Sequence, residues 1–242
     1  MTPPLPQQVL MSQFMNDHPV SAIFADPGLG KTRGTLDAIT EQLNDCGTKG
    51  VLIIAPKRVS ALTWPNEVAK WCPQLRVANL RTPEGAKAWE DKSADIYLSN
   101  VEYLQQTCAK FLDKRKKIPA DFLVLDELTK MKSHDSKRAK ALFAHHAKFS
   151  RFVGLTGTPI PNSHLDLYNQ IKMLDGGARF GKSFHAFRSR YATSDFMGFK
   201  WELVPGAKEL IEEKIADITL TLRAKDWLKI PPVTVKEIDV TL

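Results

Sequence analysis

The stretch Ser21-Ala-Ile-Phe-Ala25-Asp-Pro-Gly-Leu-Gly-Lys31-Thr32 decides the fold, because a glycine-rich turn here joins an apolar run to a segment of helical spacing. Gly28 and Gly30 permit backbone conformations that point successive N–H groups toward one centre. A helix that begins near Lys31 adds the positive end of its dipole. This arrangement is typical of a loop that holds the phosphates of a nucleotide. A glycine-rich turn without a ligand is the alternative that the pattern alone leaves open.

The predicted phosphate loop gives its last two residues specific tasks. Lys31 would reach the β- and γ-phosphates of a bound triphosphate and so take part in catalysis, and the Thr32 hydroxyl would bind Mg²⁺. The predicted nucleotide-binding residues of the loop are Asp26, Pro27, Gly28, Leu29, Gly30, Lys31 and Thr32.

A second apolar run, Phe122-Leu-Val-Leu, ends in the carboxylates Asp126 and Glu127. Open α/β sheets bind ligands at the carboxyl ends of their strands, so this pair is predicted to face the phosphate loop. Asp126 is the candidate Mg²⁺ ligand, acting through water, and Glu127 is the candidate base for the attacking water. An acidic first turn of a helix is the ordinary alternative, and the phosphate loop upstream favours the catalytic interpretation.

Short apolar runs rich in β-branched residues alternate with segments of helical period between residues 20 and 158. This alternation predicts an α/β fold, with a doubly wound parallel sheet covered by helices on both faces. The predicted strands are Ser21–Ala25, Val51–Ala55, Arg76–Leu80, Asp95–Ser99, Phe122–Asp126 and Phe152–Thr156. The predicted helices are Thr32–Leu43, Trp64–Trp71, Glu84–Asp91, Val101–Leu112, Ser136–Ala147 and Leu165–Leu174.

Beyond Asp175 the pattern changes, and Ser183–Tyr191 and Pro205–Ala216 are predicted to be helices of an appendage rather than a further strand repeat. We expect residues 1–175 to form the nucleotide-binding lobe, 176–232 a small C-terminal helical protrusion packed on it, and 233–242 the start of a connection. Aromatic and basic residues of the first helix either line a nucleic-acid path or belong to the core of the protrusion. They are Phe184, His185, Phe187, Arg188, Arg190 and Tyr191.

The composition, 43% hydrophobic and 25% charged, is that of a globular protein. A net charge of +7 favours a polyanionic partner without identifying one. The three cysteines are widely spaced, so the sequence predicts neither a zinc site nor a disulfide framework. No apolar stretch reaches the length of about 18 residues that a membrane span needs. We therefore expect a cytoplasmic, nucleoid or nuclear protein that is neither secreted nor membrane-embedded.

Taken in order, these segments resemble the first RecA-like lobe of the Swi/Snf-related ATPases of helicase superfamily 2. Pro4-Leu-Pro-Gln-Gln8 is similar to the family's L-R-P-Y-Q, which implies that Gln8 pairs with adenine. Ala25–Thr32 is similar to A-D-E-M-G-L-G-K-T, shortened by one residue. Asp126-Glu-Leu-Thr-Lys-Met-Lys132 is similar to D-E-A-H-R-I-K. Thr129 stands where the family has a histidine that links ATP state to lobe closure, so this coupling stays open.

The resemblance also implies contacts with a nucleic-acid backbone. Ile54-Ala-Pro-Lys-Arg-Val-Ser-Ala-Leu-Thr-Trp64 resembles I-A-P followed by six residues and Trp, and Leu98-Ser-Asn-Val-Glu102 resembles T-S-Y-E. Leu155-Thr-Gly-Thr-Pro-Ile-Pro-Asn162 is close to L-T-G-T-P-x-x-N, and Leu222-Arg223 with Ile230-Pro-Pro-Val resembles the segment that leaves the lobe. The implied nucleic-acid contacts are Pro56, Lys57, Arg58, Ser99 and Asn100, and the implied coupling residues are Thr156, Gly157 and Thr158.

The resemblance implies a RecA-like P-loop domain that binds Mg-ATP and DNA, duplex more than RNA, in a helicase-like ATPase or translocase. We expect a monomer that needs a second RecA-like lobe, in cis or in trans, for full hydrolysis. The end at Val240-Thr-Leu242, in an apparent strand, leads us to expect a cut from a longer chain. One alternative is a natural one-lobe module that binds nucleic acid and has little ATPase activity. Another is a P-loop NTPase of a different class, such as a signalling switch.

Overall fold

The computed structural model describes residues 2–113, 117–133, 135–160, 163–196 and 200–228. Its strands are β1 Val20–Ala25, β2 Val51–Ala55, β3 Val77–Asn79, β4 Ile96–Asn100, β5 Phe122–Asp126, β6 Arg151–Thr156, β7 Ala192–Ser194, β8 Trp201–Leu203 and β9 Thr219–Leu222. Its α-helices are α1 Pro6–Asp17, α2 Lys31–Asp45, α3 Trp64–Trp71, α4 Pro83–Asp91, α5 Leu104–Phe111, α6 Lys137–Phe143, α7 Leu167–Asp175, α8 Phe184–Tyr191, α9 Ala207–Ile215 and α10 Ala224–Trp227.

Within the described ranges, seven strands form one parallel sheet in the order β3-β4-β2-β5-β6-β1-β9. The buried strands are almost wholly apolar because helices cover both faces, as parallel sheets require. β7 and β8 pair separately as an antiparallel hairpin. The predicted α/β class and its six strands are confirmed.

Alternate side chains of each strand enter two separate cores. Ile23 and Ala25 of β1 face one core, which helices α1, α2 and α3 cover with residues such as Met11, Leu36 and Trp64. Ala22 and Phe24 face the other core, which the remaining large helices cover. The phosphate-loop helix α2 therefore shares a layer with α1 and α3.

Helix α1 was not predicted from the sequence. Its buried positions are Gln7, Met11, Ser12 and Met15, so half of the buried face is polar and the amphipathic pattern is weak. Pro6 stands at the first helical position, where its missing N–H costs no hydrogen bond.

Strand β9 corrects the expectation that residues 176–232 form a helical appendage rather than a further strand of the sheet. Thr219-Leu-Thr-Leu222 pairs in parallel with β1, so the chain returns to the main sheet after α9. The alternation of threonine and leucine indicates a strand with one covered face, but four residues after a helix are a short signal. The segment predicted as a helical protrusion also contains the hairpin β7–β8. The division of the chain at residue 175 stays a prediction.

Three expected features lie outside the described residues, namely Asn162, the segment Ile230-Pro-Pro-Val and the connection at 233–242. In the part of the chain that the structure describes, none of the helices has the length and apolar character needed to cross a membrane.

Candidate functional site

The phosphate loop and the acidic pair lie near each other because β1 and β5, the strands that precede them, are separated by a single strand, β6. β6 pairs with β1 through Phe24 and Thr156, and with β5 through Asp126 and Leu155. All three strands run in the same direction, so their carboxyl ends lie at one edge of the sheet. Neighbouring strands lie about 4.8 Å apart, so the two loops are separated by about 10 Å, which leaves room for a metal-bound triphosphate.

The loop itself has the backbone predicted for it. Gly28 and Gly30 have φ values of 87° and 77°, in the left-handed region that favours glycine. Gly30 is also the N-cap of α2, so the free N–H groups of the first helical turn face the loop. Leu29 between the glycines is fully buried and anchors the loop to the core.

The Lys31 side chain lies inside the loop. Its Nζ donates to the backbone oxygen of Ala25 at 2.6 Å and to that of Asp26 at 3.3 Å. Burial lowers the pKa of Lys31, and the nearby carboxylates of Asp126, Glu127 and Asp26 partly offset that shift. The Lys31 ammonium therefore interacts electrostatically with both carboxylates of the acidic pair.

Asp126 lies at the end of β5 and accepts a hydrogen bond at Oδ2 from the indole Nε1 of Trp64, at 2.9 Å. Burial raises the pKa of Asp126, and the Trp64 hydrogen bond opposes this shift. Glu127 raises the pKa further through charge repulsion, whereas Lys31 lowers it. A bound cation would stabilise the charged form of a carboxylate that is buried beside another carboxylate.

Glu127 has a strained backbone, with φ of 66° although it is not glycine. Strain of this kind costs about 1–3 kcal/mol and persists where its surroundings hold it. Oε1 of Glu127 accepts hydrogen bonds from Thr129 Oγ1 at 2.5 Å and from Thr156 Oγ1 at 3.0 Å. Thr129, at the position of the family's histidine, thus contacts the candidate base directly.

The donor set at this edge suits Mg²⁺, which prefers hard oxygen ligands and is held by one or two carboxylates together with substrate phosphates. Asp126 supplies a carboxylate in a site where burial disfavours its bare charge, and Thr32 supplies a hydroxyl in the first turn of α2. Among the described residues, no cluster of three or more His, Cys, Asp or Glu side chains could hold a metal by itself. The oxygen donors that the site does offer, one carboxylate and one hydroxyl, are of the type that Mg²⁺ binds.

Gln8 packs directly on the phosphate loop. A Cβ atom at Gly30 would lie 2.1 Å from Nε2 of Gln8, so the Gln8 side chain occupies the space directly over this glycine. Oε1 of Gln8 accepts from the backbone N–H of Leu5 at 2.9 Å. The residue predicted to read adenine is thus beside the loop, on α1.

The predicted coupling residues lie at the carboxyl end of β6 and touch both halves of the site. Thr156, which is 1% exposed, contacts Glu127 and accepts from the backbone N–H of Thr158 at 3.2 Å. A Cβ atom at Gly157 would lie 3.4 Å from Pro27 Cδ, so this turn lies against the phosphate loop.

The predicted nucleic-acid contacts divide into two groups. Lys57 and Arg58 are exposed at the carboxyl end of β2, where Pro56 is half-buried. Ser99 and Asn100, by contrast, are each 1% exposed. Ser99 Oγ bonds Thr107 Oγ1 at 2.6 Å, and Asn100 Oδ1 caps the turn at Tyr103 N at 3.0 Å. Their side chains are internal, which corrects the expectation that they face a nucleic acid.

Sequence reasoning missed an exposed pair beside these residues. Arg81 follows β3, and its guanidinium lies 3.4 Å from the centroid of the Tyr103 ring, which is 40% exposed. With Lys57 and Arg58 the pair forms a basic and aromatic surface along the carboxyl edge, here called the β2–β4 edge surface. The two residues are far apart in sequence, so only the order of the strands brings them together.

A second missed contact joins the phosphate loop to β9. The Asp26 carboxylate accepts from the backbone N–H of Ala224 at 2.8 Å, and Arg223 Nη1 lies 3.9 Å from its other oxygen. The backbone N–H of Asp26 donates to Leu222 O at 3.1 Å. Asp26 therefore fixes the segment that follows β9.

In α8 the structure favours the core interpretation for the aromatic residues. Phe187 and Tyr191 are buried, and Phe184 packs against the core. Arg188 lies 3.8 Å from the ring centroid of Trp201, whereas His185 and Arg190 are exposed.

Comparisons with known proteins agree with this geometry. The sequence profile described as the SNF2-related domain matches residues 8–221. A putative protein p41 of Acyrthosiphon pisum secondary endosymbiont phage 1 is 33% identical over 242 residues, which cover 94% of this chain and 52% of that protein. The probable ATP-dependent DNA helicase CHR12 of Arabidopsis thaliana is 34% identical over 176 residues, covering 69% of this chain and 15% of the helicase.

Solved structures give the same result. The SWI2/SNF2 ATPase core of Sulfolobus solfataricus in complex with dsDNA matches with a TM-score of 0.77 and 25% identity, covering 94% of this chain and 46% of that one. This chain therefore spans about half the length of the phage protein and of the archaeal core. The profile match covers most of the sequence, and the parallel sheet is that of the ATPase core. The chain thus belongs to the SNF2-related domain family.

Proposed function

We propose that this chain is the ATP-binding lobe of a Swi/Snf-type, DNA-dependent ATPase or translocase. The observation that carries the proposal is the meeting of Lys31, Asp126 and Glu127 at one sheet edge, where Thr156 of the intervening strand contacts Glu127. The relative named as a probable ATP-dependent DNA helicase and the archaeal core in complex with dsDNA support it.

The phosphates of ATP would occupy the concavity formed by the N–H groups of residues 28–32. Lys31 would exchange its bonds to the Ala25 and Asp26 carbonyl oxygens for the β- and γ-phosphates. Thr32 and Asp126 would hold Mg²⁺, which neutralises charge that develops on the phosphates when bound. Glu127, oriented by Thr129 and Thr156, would take the proton of the attacking water.

Full hydrolysis would need a second RecA-like lobe. An arginine supplied to such a site contributes about 10³ to 10⁵ in rate. A one-lobe module with little ATPase activity is the alternative. Adding a second lobe, in cis or in trans, distinguishes the ATPase lobe from the one-lobe module by whether hydrolysis is restored.

Nucleic acid would lie along the β2–β4 edge surface, with Lys57, Arg58 and Arg81 on backbone phosphates. Tyr103 would serve as a partner that holds the Arg81 guanidinium in place. The net charge of +7 would add long-range attraction.

Replacing Lys31 by alanine should weaken Mg-ATP binding about 10- to 100-fold, because a charged hydrogen bond to phosphate contributes about 1.5–3 kcal/mol. Titration of a fluorescent ATP analogue measures this. The exposed Lys87→Ala on α4 is the control and should bind like the wild type. Equal binding by Lys31→Ala would show that the nucleotide lies elsewhere.

Glu127→Gln should keep nucleotide affinity within about threefold and lower hydrolysis at least 100-fold in a two-lobed form, because a general base contributes about 10² to 10⁴ in rate. Phosphate release in a malachite-green assay with duplex DNA measures the rate. Normal hydrolysis by the variant would contradict the assignment of the base. Brisk hydrolysis by the 242-residue chain alone would contradict the need for a second lobe.

Alanine at Lys57, Arg58 or Arg81 should weaken duplex DNA binding similarly for all sequences. Each variant should also reduce the salt slope by about one, because one phosphate fewer is neutralised on binding. Fluorescence anisotropy at several salt concentrations measures both quantities. Lys208→Ala, on the exposed side of α9, is the matched control for removal of one positive charge. An equal weakening with the Lys208 variant would mean that the effect is not local to the β2–β4 edge surface.

A further inference from the structure

Trp64 connects two parts of the proposed machinery. Its side chain is 0% exposed, and its indole N–H donates to Asp126 Oδ2 at 2.9 Å. An indole N–H can only donate, so this bond fixes one carboxylate oxygen and thereby the rotation of the whole carboxylate. The orientation of Asp126 is thus set by a residue on a different element.

The residues before Trp64 form a π-helix, Val59–Thr63. π-Helical turns are rare and occur frequently at functional sites, where they displace the residues that follow. Here the π-helix continues directly into α3, which begins at Trp64. The placement of the indole therefore depends on how the π-helix begins.

The π-helix continues directly from Lys57 and Arg58, which already have helical backbone within the connection after β2, called the loop here. Ser60, which is 4% exposed, donates from its backbone N–H to Pro56 O at 2.9 Å and from Oγ to Lys57 O at 3.0 Å. A shift of the Pro56–Lys57 backbone is thereby carried into the π-helix.

Strand pairing keeps this connection short. β2 and β5 are neighbours, with Ile54 opposite Leu125, so the loop after β2 lies beside Asp126. Helix α3 also rests on α2, where the Arg33 guanidinium lies 4.4 Å from the centroid of the Trp71 ring. The π-helix and α3 thus form a packed block between the exposed loop and the carboxylate.

We propose that Trp64 is a positioning residue that links occupancy of the Lys57–Arg58 loop by a nucleic-acid backbone to the Mg²⁺ affinity of Asp126. The proposal rests on the proposed function, because it takes Asp126 as the metal ligand and the loop as a backbone contact. Backbone binding shifts the loop, the π-helix carries the shift to the indole, and the carboxylate turns with it. Since such a link is reciprocal, Mg-nucleotide also changes the affinity for nucleic acid.

Trp64→Phe keeps an aromatic ring and removes the N–H, and Trp71→Phe is its matched control. Trp71 stands on the same helix and also donates its indole N–H to a carboxylate, that of Glu67 at 2.8 Å, away from the site. A fluorescent ATP analogue is titrated against each chain in EDTA and at rising Mg²⁺, with and without a short DNA duplex.

Trp64→Phe should raise the Mg²⁺ concentration for half-maximal nucleotide binding roughly tenfold or more, since outer residues that orient a metal ligand contribute about 10- to 100-fold in affinity. Affinity in EDTA should stay at the wild-type value. The duplex should change the Mg²⁺ requirement of the wild type and of Trp71→Phe but not of Trp64→Phe. A merely structural role would lower the affinity equally with and without Mg²⁺.

The results distinguish a failure of the proposed function from a failure of the role proposed for Trp64. If the wild type and Lys31→Ala bind nucleotide equally, the proposed function fails and this inference fails with it. If Lys31→Ala loses binding while Trp64→Phe matches Trp71→Phe in its Mg²⁺ and DNA responses, only the role of Trp64 is overturned.

If Trp64→Phe does not fold, the proposal can still be tested with the wild-type chain. Five tryptophans give five indole ¹⁵N–¹H signals, and phenylalanine variants at positions 71, 89, 201 and 227 assign the Trp64 signal by elimination. That signal should shift when Mg-nucleotide is added and again when the duplex is added. A Trp64 signal that does not respond to the duplex overturns the proposal.

Discussion

The parallel pairing of β6 with β1 on one side and β5 on the other is the constraint on which the site depends. It fixes Thr156 between the end of β1 and the end of β5, and so sets the distance between the phosphate loop and the acidic pair. Because β6 is buried on both faces, the spacing is set by the core of the molecule rather than by surface loops.

The site keeps charges and strain that the surrounding structure holds in place. Burial disfavours the charged forms of both Lys31 and Asp126, and Glu127 has a backbone angle unusual for its type. A nucleotide with a divalent cation would offset the repulsion between the carboxylates and take the ammonium as a partner. The strain at Glu127 fits a residue whose position serves chemistry more than stability.

The strands and the two loops could be predicted because their signals are local. Apolar runs end at glycines or carboxylates, and carboxyl ends of parallel strands meet at one edge. Helix α1 was missed because Gln7 and Ser12 share its buried face, and β9 because four residues give little pattern. The pairing of Arg81 with Tyr103 depends on strand order and packing, which no local pattern contains.

A crystal structure of the chain with Mg²⁺ and a non-hydrolysable ATP analogue tests the central claim most directly. The account predicts phosphates against the N–H groups of residues 28–32 and Lys31 Nζ moved from Ala25 O to the β- and γ-phosphates. It also predicts a metal about 2.1 Å from Thr32 Oγ1, with Asp126 reaching it through water. A nucleotide bound away from the phosphate loop, or a metal that Asp126 does not approach, would contradict the account.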